Sequence, residues 1–266
     1  MRISKLNATP KKQFIEIPLH KCIMSVDVTY PTRSQLAAFL ALDPRKRIEL
    51  LEPFLTDERL AMLRSKLSRR TKRLTIALEN IYHSQNASAV VRTCECMGLQ
   101  DLTVIENSSR FLANNGVARG ASKWLSFHRF NTNAVNTPEA YDFLHANGYK
   151  IVAASPHTGH DVSLYDLDVT ESPLAVVFGA EKVGLSQWAM DNADVRMAIP
   201  MYGMTESLNI SASVAIVASH LRRTIDQSLP PSLVALSQDE QDEVLSQWFL
   251  ASIRDAQSVL DRVLSL

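Results

Sequence analysis

Three segments of this 266-residue chain are too polar, or too rich in glycine, to serve core-building alone. The first runs from Glu79 to Thr93 and carries Asn86 and Arg92. Asn86 is placed to cap a helix that starts at Ala87, which puts Arg92 near the helix start. A helix N-terminus with a guanidinium is a phosphate-binding arrangement. A simple cap and a solvated arginine fit the same residues. The second segment is Phe178-Gly179-Ala180-Glu181-Lys182-Val183-Gly184-Leu185-Ser186. Its two glycines bracket a carboxylate, and glycine lets the backbone approach a ligand closely. It lacks the GK[ST] of a Walker loop, and an ordinary loop capped by Ser186 fits it equally. The third, from Ile199 to Ser211, passes through Gly203 to Ser207 and Asn209. Asn209 can cap the following helix, whose small residues Ala212, Ser213 and Ala215 suit close packing.

Each segment follows a strand candidate. The near-continuous apolar runs are 74–80, 101–107, 150–155, 174–179 and 195–200, with 124–130 as a weaker sixth. Runs of this kind suit a parallel sheet covered on both faces. Helical stretches lie between them. One spans about Ala87 to Met97 and stops at Gly98. Another begins at Thr137-Pro138 and ends at Gly148. A third follows Asn209. Alternation of strand and helix indicates an α/β fold. In open parallel sheets ligands bind beyond the carboxyl ends of the strands, so all three segments can converge there.

The flanks differ. Residues 1–33 show no clean period and carry Pro10, Pro18 and Pro31. From Ser34 to Leu67 the pattern is helical, with Asp43-Pro44 as a start, Pro53 as a break and Thr56 as a further cap. After Arg223 comes SLPPSL, and then Ser237 and Glu240 form a capping box that opens a C-terminal amphipathic helix. The expected division is 1–67, an irregular then helical extension; 68–225, the α/β domain; and 226–266, a helical segment.

No apolar run reaches the roughly 20 residues of a membrane helix, and the basic N-terminus lacks the apolar stretch of a secretory signal. The expected location is the cytoplasm, without a membrane partner. Three cysteines, Cys22, Cys94 and Cys96, make no disulfide framework, and the last two fall on different faces of a helix. No metal site is expected. The formal net charge is zero, so local charge decides which partners are possible. Arg64, Lys66, Arg69, Arg70, Lys72 and Arg73 form a dense basic cluster just ahead of the α/β region. Such a cluster suits RNA phosphates; a solvated helix end suits it too. The acidic run Asp239, Glu240, Asp242 and Glu243 balances it elsewhere.

Taken in order, NASAVVRT, VVFGAEKVGLS and IPMYGMTESLNISAS resemble motifs 1, 2 and 3 of the TrmH family of SPOUT RNA 2′-O-methyltransferases. GASKW at 120–124 resembles that family as well, and the likeness covers roughly Ser68 to Arg223. The resemblance implies a parallel-sheet SPOUT fold whose C-terminal part forms a deep trefoil knot, a topology otherwise almost absent from proteins. It implies S-adenosylmethionine as cofactor, held by Gly179, Ile199 and Leu208, by Ser207 and Asn209, and by Ala154 from an earlier strand. It implies a homodimer with the site near the subunit interface. Arg92 takes the place of the family's essential arginine, with Asn86 and Glu181 setting site geometry. The implied substrate is a guanosine in the tRNA D-loop; ribosomal RNA is the second choice, and a non-catalytic RNA-binding protein on the same fold is the reading of another class. The helical, basic N-terminal segment matches the tRNA type. Glu206 stands where many relatives are uncharged, and the first 60 or so residues exceed the short extension of the tRNA enzymes.

Overall fold

The computed structural model describes residues 31–114, 118, 120–156 and 162–265. Most of the irregular extension expected at the N-terminus, with Cys22, lies outside them. In chain order the elements are α1 (Arg33–Leu40), α2 (Pro44–Leu51), α3 (Asp57–Leu67), β1 (Leu74–Glu79), α4 (Ser84–Cys96), β2 (Asp101–Ile105) and β3 (Ser126–Phe130). Then follow α5 (Thr137–Ala146), β4 (Lys150–Ala154), β5 (Val162–Ser163), β6 (Leu174–Phe178), α6 (Gln187–Asp191) and β7 (Val195–Ala198). The chain closes with α7 (Ile210–Ser228), α8 (Pro231–Val234), α9 (Gln238–Ser252) and α10 (Ala256–Leu264).

The seven strands form one sheet in the order β3-β2-β1-β6-β4-β7-β5. The pairings are all parallel. Helices cover both faces, which is why the strands read as unbroken apolar runs. Leu74, Ile76 and Leu78 of β1 face the core shared with α4 and α7. Ala77 of the same strand joins Tyr141 and Leu144 of α5 on the other side. All six strand candidates are present; the two-residue β5 is too short to leave a periodic signal.

Local signals place most helix ends. Thr56 and Ser186 each accept a backbone hydrogen bond at a helix start, and Asp43 does so ahead of Pro44. Ser237 and Glu240 form the expected capping box. Gly98 ends α4 with φ +72°, and a Cβ there would stand 2.8 Å from the Arg69 carbonyl oxygen. Two caps differ from expectation. Helix α4 starts at Ser84 with His83 in the cap position, so Asn86 lies inside the first turn and its side chain is turned to tertiary partners. Thr137 is the first helical residue of α5 behind Asn136, and its hydroxyl donates to Glu79 instead of capping.

The two flanks share a core. Phe39, Leu51, Leu63 and Leu67 pack with Val244, Trp248, Phe249 and Leu260. The acidic run of α9 is spent on this contact. Asp242 and Asp239 pair with Arg45, Glu243 with the buried Arg47, and Glu240 with Lys72. Cys94 is buried and Cys96 exposed on opposite sides of α4, and the described residues hold no cluster fit for a metal ion. No helix among them is long and apolar enough to cross a membrane.

Candidate active site

The sheet order makes neighbours of β1, β6, β4 and β7. Their carboxyl ends release the segments that carry Asn86, Glu181, Ala154 and Asn209 in turn. A parallel sheet presents these ends on one edge, so segments more than a hundred residues apart in sequence meet there.

Three side chains lock them together. Asn86 Nδ2 donates to Glu181 Oε1 at 2.8 Å, and Asn209 Nδ2 donates to Asn86 Oδ1 at 3.2 Å. Asn209 also caps α7, accepting from the Ser211 backbone at 2.8 Å. The second oxygen of Glu181 is buried without a partner among the described residues.

The loop from Ala180 to Gly184 closes on itself by two backbone hydrogen bonds, 3.1 and 2.8 Å. Gly179 serves this closure. A Cβ on it would lie 2.1 Å from backbone atoms of Gly184 and Leu185. The close approach expected of this glycine is therefore to its own loop. Ala154 and Ile199 border the main core. Residues 202–209 are exposed throughout, Ser207 and Leu208 included, and Tyr202 and Met204 are almost fully bare.

Arg92 sits nine residues into the thirteen-residue α4, not near its start. With a rise of about 1.5 Å per residue it stands roughly 12 Å from the helix N-terminus, so the expected pairing of guanidinium and helix dipole is absent. Arg92 is exposed and makes no ion pair or hydrogen bond among the described residues. It lines an open depression of about 310 Å³ between α4 and α7, with Thr93, Cys96 and Ala215. A free cation of this kind is available to an anionic ligand.

One participant lacked a sequence signal. Glu79, at the end of β1, is 1 % exposed. Its carboxylate accepts from the Ser186 backbone N–H at 2.7 Å, the Ser186 hydroxyl at 2.9 Å and the Thr137 hydroxyl at 2.5 Å. It anchors the Glu181 loop from below. A glutamate at a strand end reads as solvent-facing until the tertiary partners are known.

The basic cluster divides. Arg70 is 4 % exposed, ion-paired to Glu95 at 2.8 Å, and stacked over Trp248. Burial lowers its pKa and the Glu95 charge opposes that shift. This arginine is a structural bolt between α4 and α9, and its assignment to RNA is corrected. Lys72 turns to Asp101 and Glu240, and Arg73 donates to the carbonyls of Val169 and Thr170. Arg64 pairs with Glu52 but stays half exposed. Lys66 and Arg69 point to solvent.

A sequence model of the SpoU rRNA methylase family matches residues 73–219, more than half of the chain and the whole span from Asn86 to Asn209. The chain belongs to the SpoU rRNA methylase family. Its similarity to individual members runs further. A tRNA (guanosine(18)-2′-O)-methyltransferase of Borreliella burgdorferi is 40% identical over 186 residues, 70% of this chain and 83% of that protein. The Thermus thermophilus enzyme of the same name is 32% identical over 197 residues, 73% of this chain and 96% of its own. Among solved structures, the Aquifex aeolicus TrmH/SpoU tRNA modifying enzyme superposes with a TM-score of 0.64 at 29% identity, covering 73% of this chain and 95% of that one. The SpoU match begins at Arg73, so the other five cations of the basic cluster precede it.

Proposed function

We propose that this SpoU family member methylates the ribose 2′-hydroxyl of a guanosine in tRNA, with S-adenosylmethionine as donor. The observation that carries the reading is the Asn86–Glu181–Asn209 chain of hydrogen bonds, which joins the three family motifs at one sheet edge. The names of the similar enzymes support guanosine 18, in the D-loop, as the target.

The residues fit the cofactor. The strand ends at Ala154, Gly179 and Ile199 adjoin one another in the sheet, and the exposed 202–209 loop presents Ser207 and Leu208 to solvent beside Asn209, which is held by Asn86. The unpartnered oxygen of Glu181 suits a cationic ligand such as a sulfonium. Bound there, S-adenosylmethionine supplies an electrophilic methyl group.

The chain's own task is to bring a weak nucleophile in line and help remove its proton. Arg92 holds the phosphate beside the target ribose. Its planar guanidinium, which carries donors and no acceptor, acts here as a phosphate clamp and not as the base. Asn86 and Glu181 fix the loop against α4, and Asn209 ties α7 to both. Lys66, Arg69 and the half-exposed Arg64 contact the tRNA backbone. Such contacts add affinity without sequence information.

Three further features belong to the same reading: a trefoil knot formed by the segments around Glu181 and Asn209, a homodimer with the site near its interface, and action in the cytoplasm. The exposed apolar side chains of Tyr202, Met204 and Ile216 support the dimer. Incubation with labelled S-adenosylmethionine and separate tRNA and ribosomal RNA pools tests the function. A 2′-O-methylguanosine product in tRNA is expected. Product in ribosomal RNA alone overturns the substrate, and no transfer to either overturns the enzyme.

A further inference from the structure

Beneath the Asn86–Glu181–Asn209 chain lies a second layer of polar contacts. Its centre is Glu79, the last residue of β1, with Asn80 after it. Asn80 turns the chain with φ +59°, the only positive value at a non-glycine residue among the described residues. Asparagine tolerates this conformation because its short polar side chain bonds locally. Here Asn80 Oδ1 accepts from the backbone N–H groups of Asn107 and Ser108, both at 2.9 Å.

The Glu79 carboxylate divides its two oxygens. Oε2 accepts from the Ser186 backbone N–H at 2.7 Å. Oε1 accepts from the Ser186 hydroxyl at 2.9 Å, the Thr137 hydroxyl at 2.5 Å and, at a longer 3.4 Å, Asn107 Nδ2. Two consecutive residues thus tie down the segments that follow β2, β3 and β6. The printed partners of Glu79 are all neutral donors. Burying a carboxyl group is costly, and bonds of this kind offset that cost more than they exceed it. What the group adds is direction: fixed distances to three segments at the catalytic edge.

One of those distances bears on the site. Asn86 stands on the segment that leaves Glu79, seven residues on, and Glu181 on the segment that ends at Ser186, five residues back. The Asn86–Glu181 bond joins these two segments once, and Glu79–Ser186 joins them again. The chain between Glu181 and Ser186 is stiff. Ala180 and Gly184 exchange two backbone hydrogen bonds, and Gly179 lies too close to Gly184 and Leu185 to admit a Cβ. Ser186 is also held from its far side, where its Oγ accepts from the Ala189 N–H at 3.2 Å. A stiff loop fixed at its end presents Glu181 to Asn86 in one place.

We infer that Glu79 is a positioning residue for methyl transfer: it sets Glu181 against Asn86 by holding Ser186. At 1 % exposed it has no surface to offer a substrate, so it acts only through the residues it holds. The inference rests on the function proposed above.

Initial-rate methyl transfer to a tRNA transcript tests it, at a temperature well below the melt of every variant. Glu79→Gln keeps the side-chain length. Whichever way the new amide turns, its NH2 meets a group that can only donate, the Ser186 N–H or Asn107 Nδ2. kcat should fall at least about tenfold. KM for tRNA should stay within about threefold, because Lys66, Arg69 and Arg92 are untouched. Combination with Asn86→Ala separates placement from plain stability. Residues that brace one contact are non-additive, so the double variant should fall within about threefold of Asn86→Ala alone. Ser186→Ala keeps the backbone bond and loses the hydroxyl. It should slow transfer several-fold with the same non-additivity, and it carries the test if Glu79→Gln does not fold. A kcat within about threefold of wild type, a loss carried by KM, or losses that multiply in the double variant overturns the inference while wild type stays active. An inactive wild type overturns the proposed function and this inference with it.

Discussion

Asn86→Ala separates positioning from folding. Asn86 makes two tertiary hydrogen bonds, one to the Glu181 carboxylate and one from Asn209. A hydrogen bond to a charged group contributes about 1.5–3 kcal/mol, and an amide pair about 0.5–1.5 kcal/mol. Asn86 and Glu181 are both half-buried, so solvent replaces part of what is lost. Together these give about 2 kcal/mol of placement energy at the catalytic edge. At about 1.4 kcal/mol per tenfold, methyl transfer should fall roughly 30-fold in kcat/KM. The helix itself should not suffer, because alanine is a better helix former than asparagine and Asn86 does not cap α4. The assay is initial-rate transfer of labelled methyl to a tRNA transcript, with a thermal melt alongside. A rate within about threefold of wild type, or a melt that drops in step with the rate, would refute the reasoning.

Arg92→Ala should abolish transfer, keep most affinity for S-adenosylmethionine by calorimetry, and leave the melt unchanged, because the side chain is exposed and unpartnered. Normal turnover would sink its role. Arg47→Ala breaks the pair between a 2 % exposed guanidinium and Glu243. Removing one partner of a fully buried pair costs about 3–5 kcal/mol; with Glu243 partly solvated, about 2–3 kcal/mol is expected in a denaturant titration. Burial pushes the Glu243 pKa up, but its hydrogen bond and charge pairing with Arg47 outweigh this and hold it below the usual value. A depressed carboxylate stabilises the fold above its unfolded pKa, and that stability is lost as pH falls through the folded value. The contact between α2 and α9 should therefore loosen below about pH 4.5, and Glu243→Gln should flatten that dependence in pH-resolved melts. Gly179→Ala should collapse expression or the melt, since its Cβ would overlap the backbone of Gly184; a variant as stable as wild type would contradict the loop closure.

What the sequence showed and what it hid follow from the range of the forces involved. Strand runs and most caps are set by residues within a few positions of each other, so they read directly from the chain. The three site segments were legible for the same reason: each is a short, punctuated loop after a strand. Polar partners chosen across the fold left no such mark. Asn86 looked like a cap because it precedes an apolar helical run, yet its amide is satisfied by Glu181, 95 residues away. Arg70 looked like part of an RNA-facing cluster because its neighbours are basic. The break after α3 turns it inward, where Glu95 and Trp248 take up its charge and its flat face. The acidic run of α9 reads the same way: it is the docking surface for Arg45, Arg47 and Lys72. Clustered charge in a sequence therefore bounds where RNA can bind only after the internal pairs are removed. In this chain that subtraction leaves Lys66 and Arg69 as the outward cations of the cluster, beside Arg64, which is paired to Glu52 but half exposed.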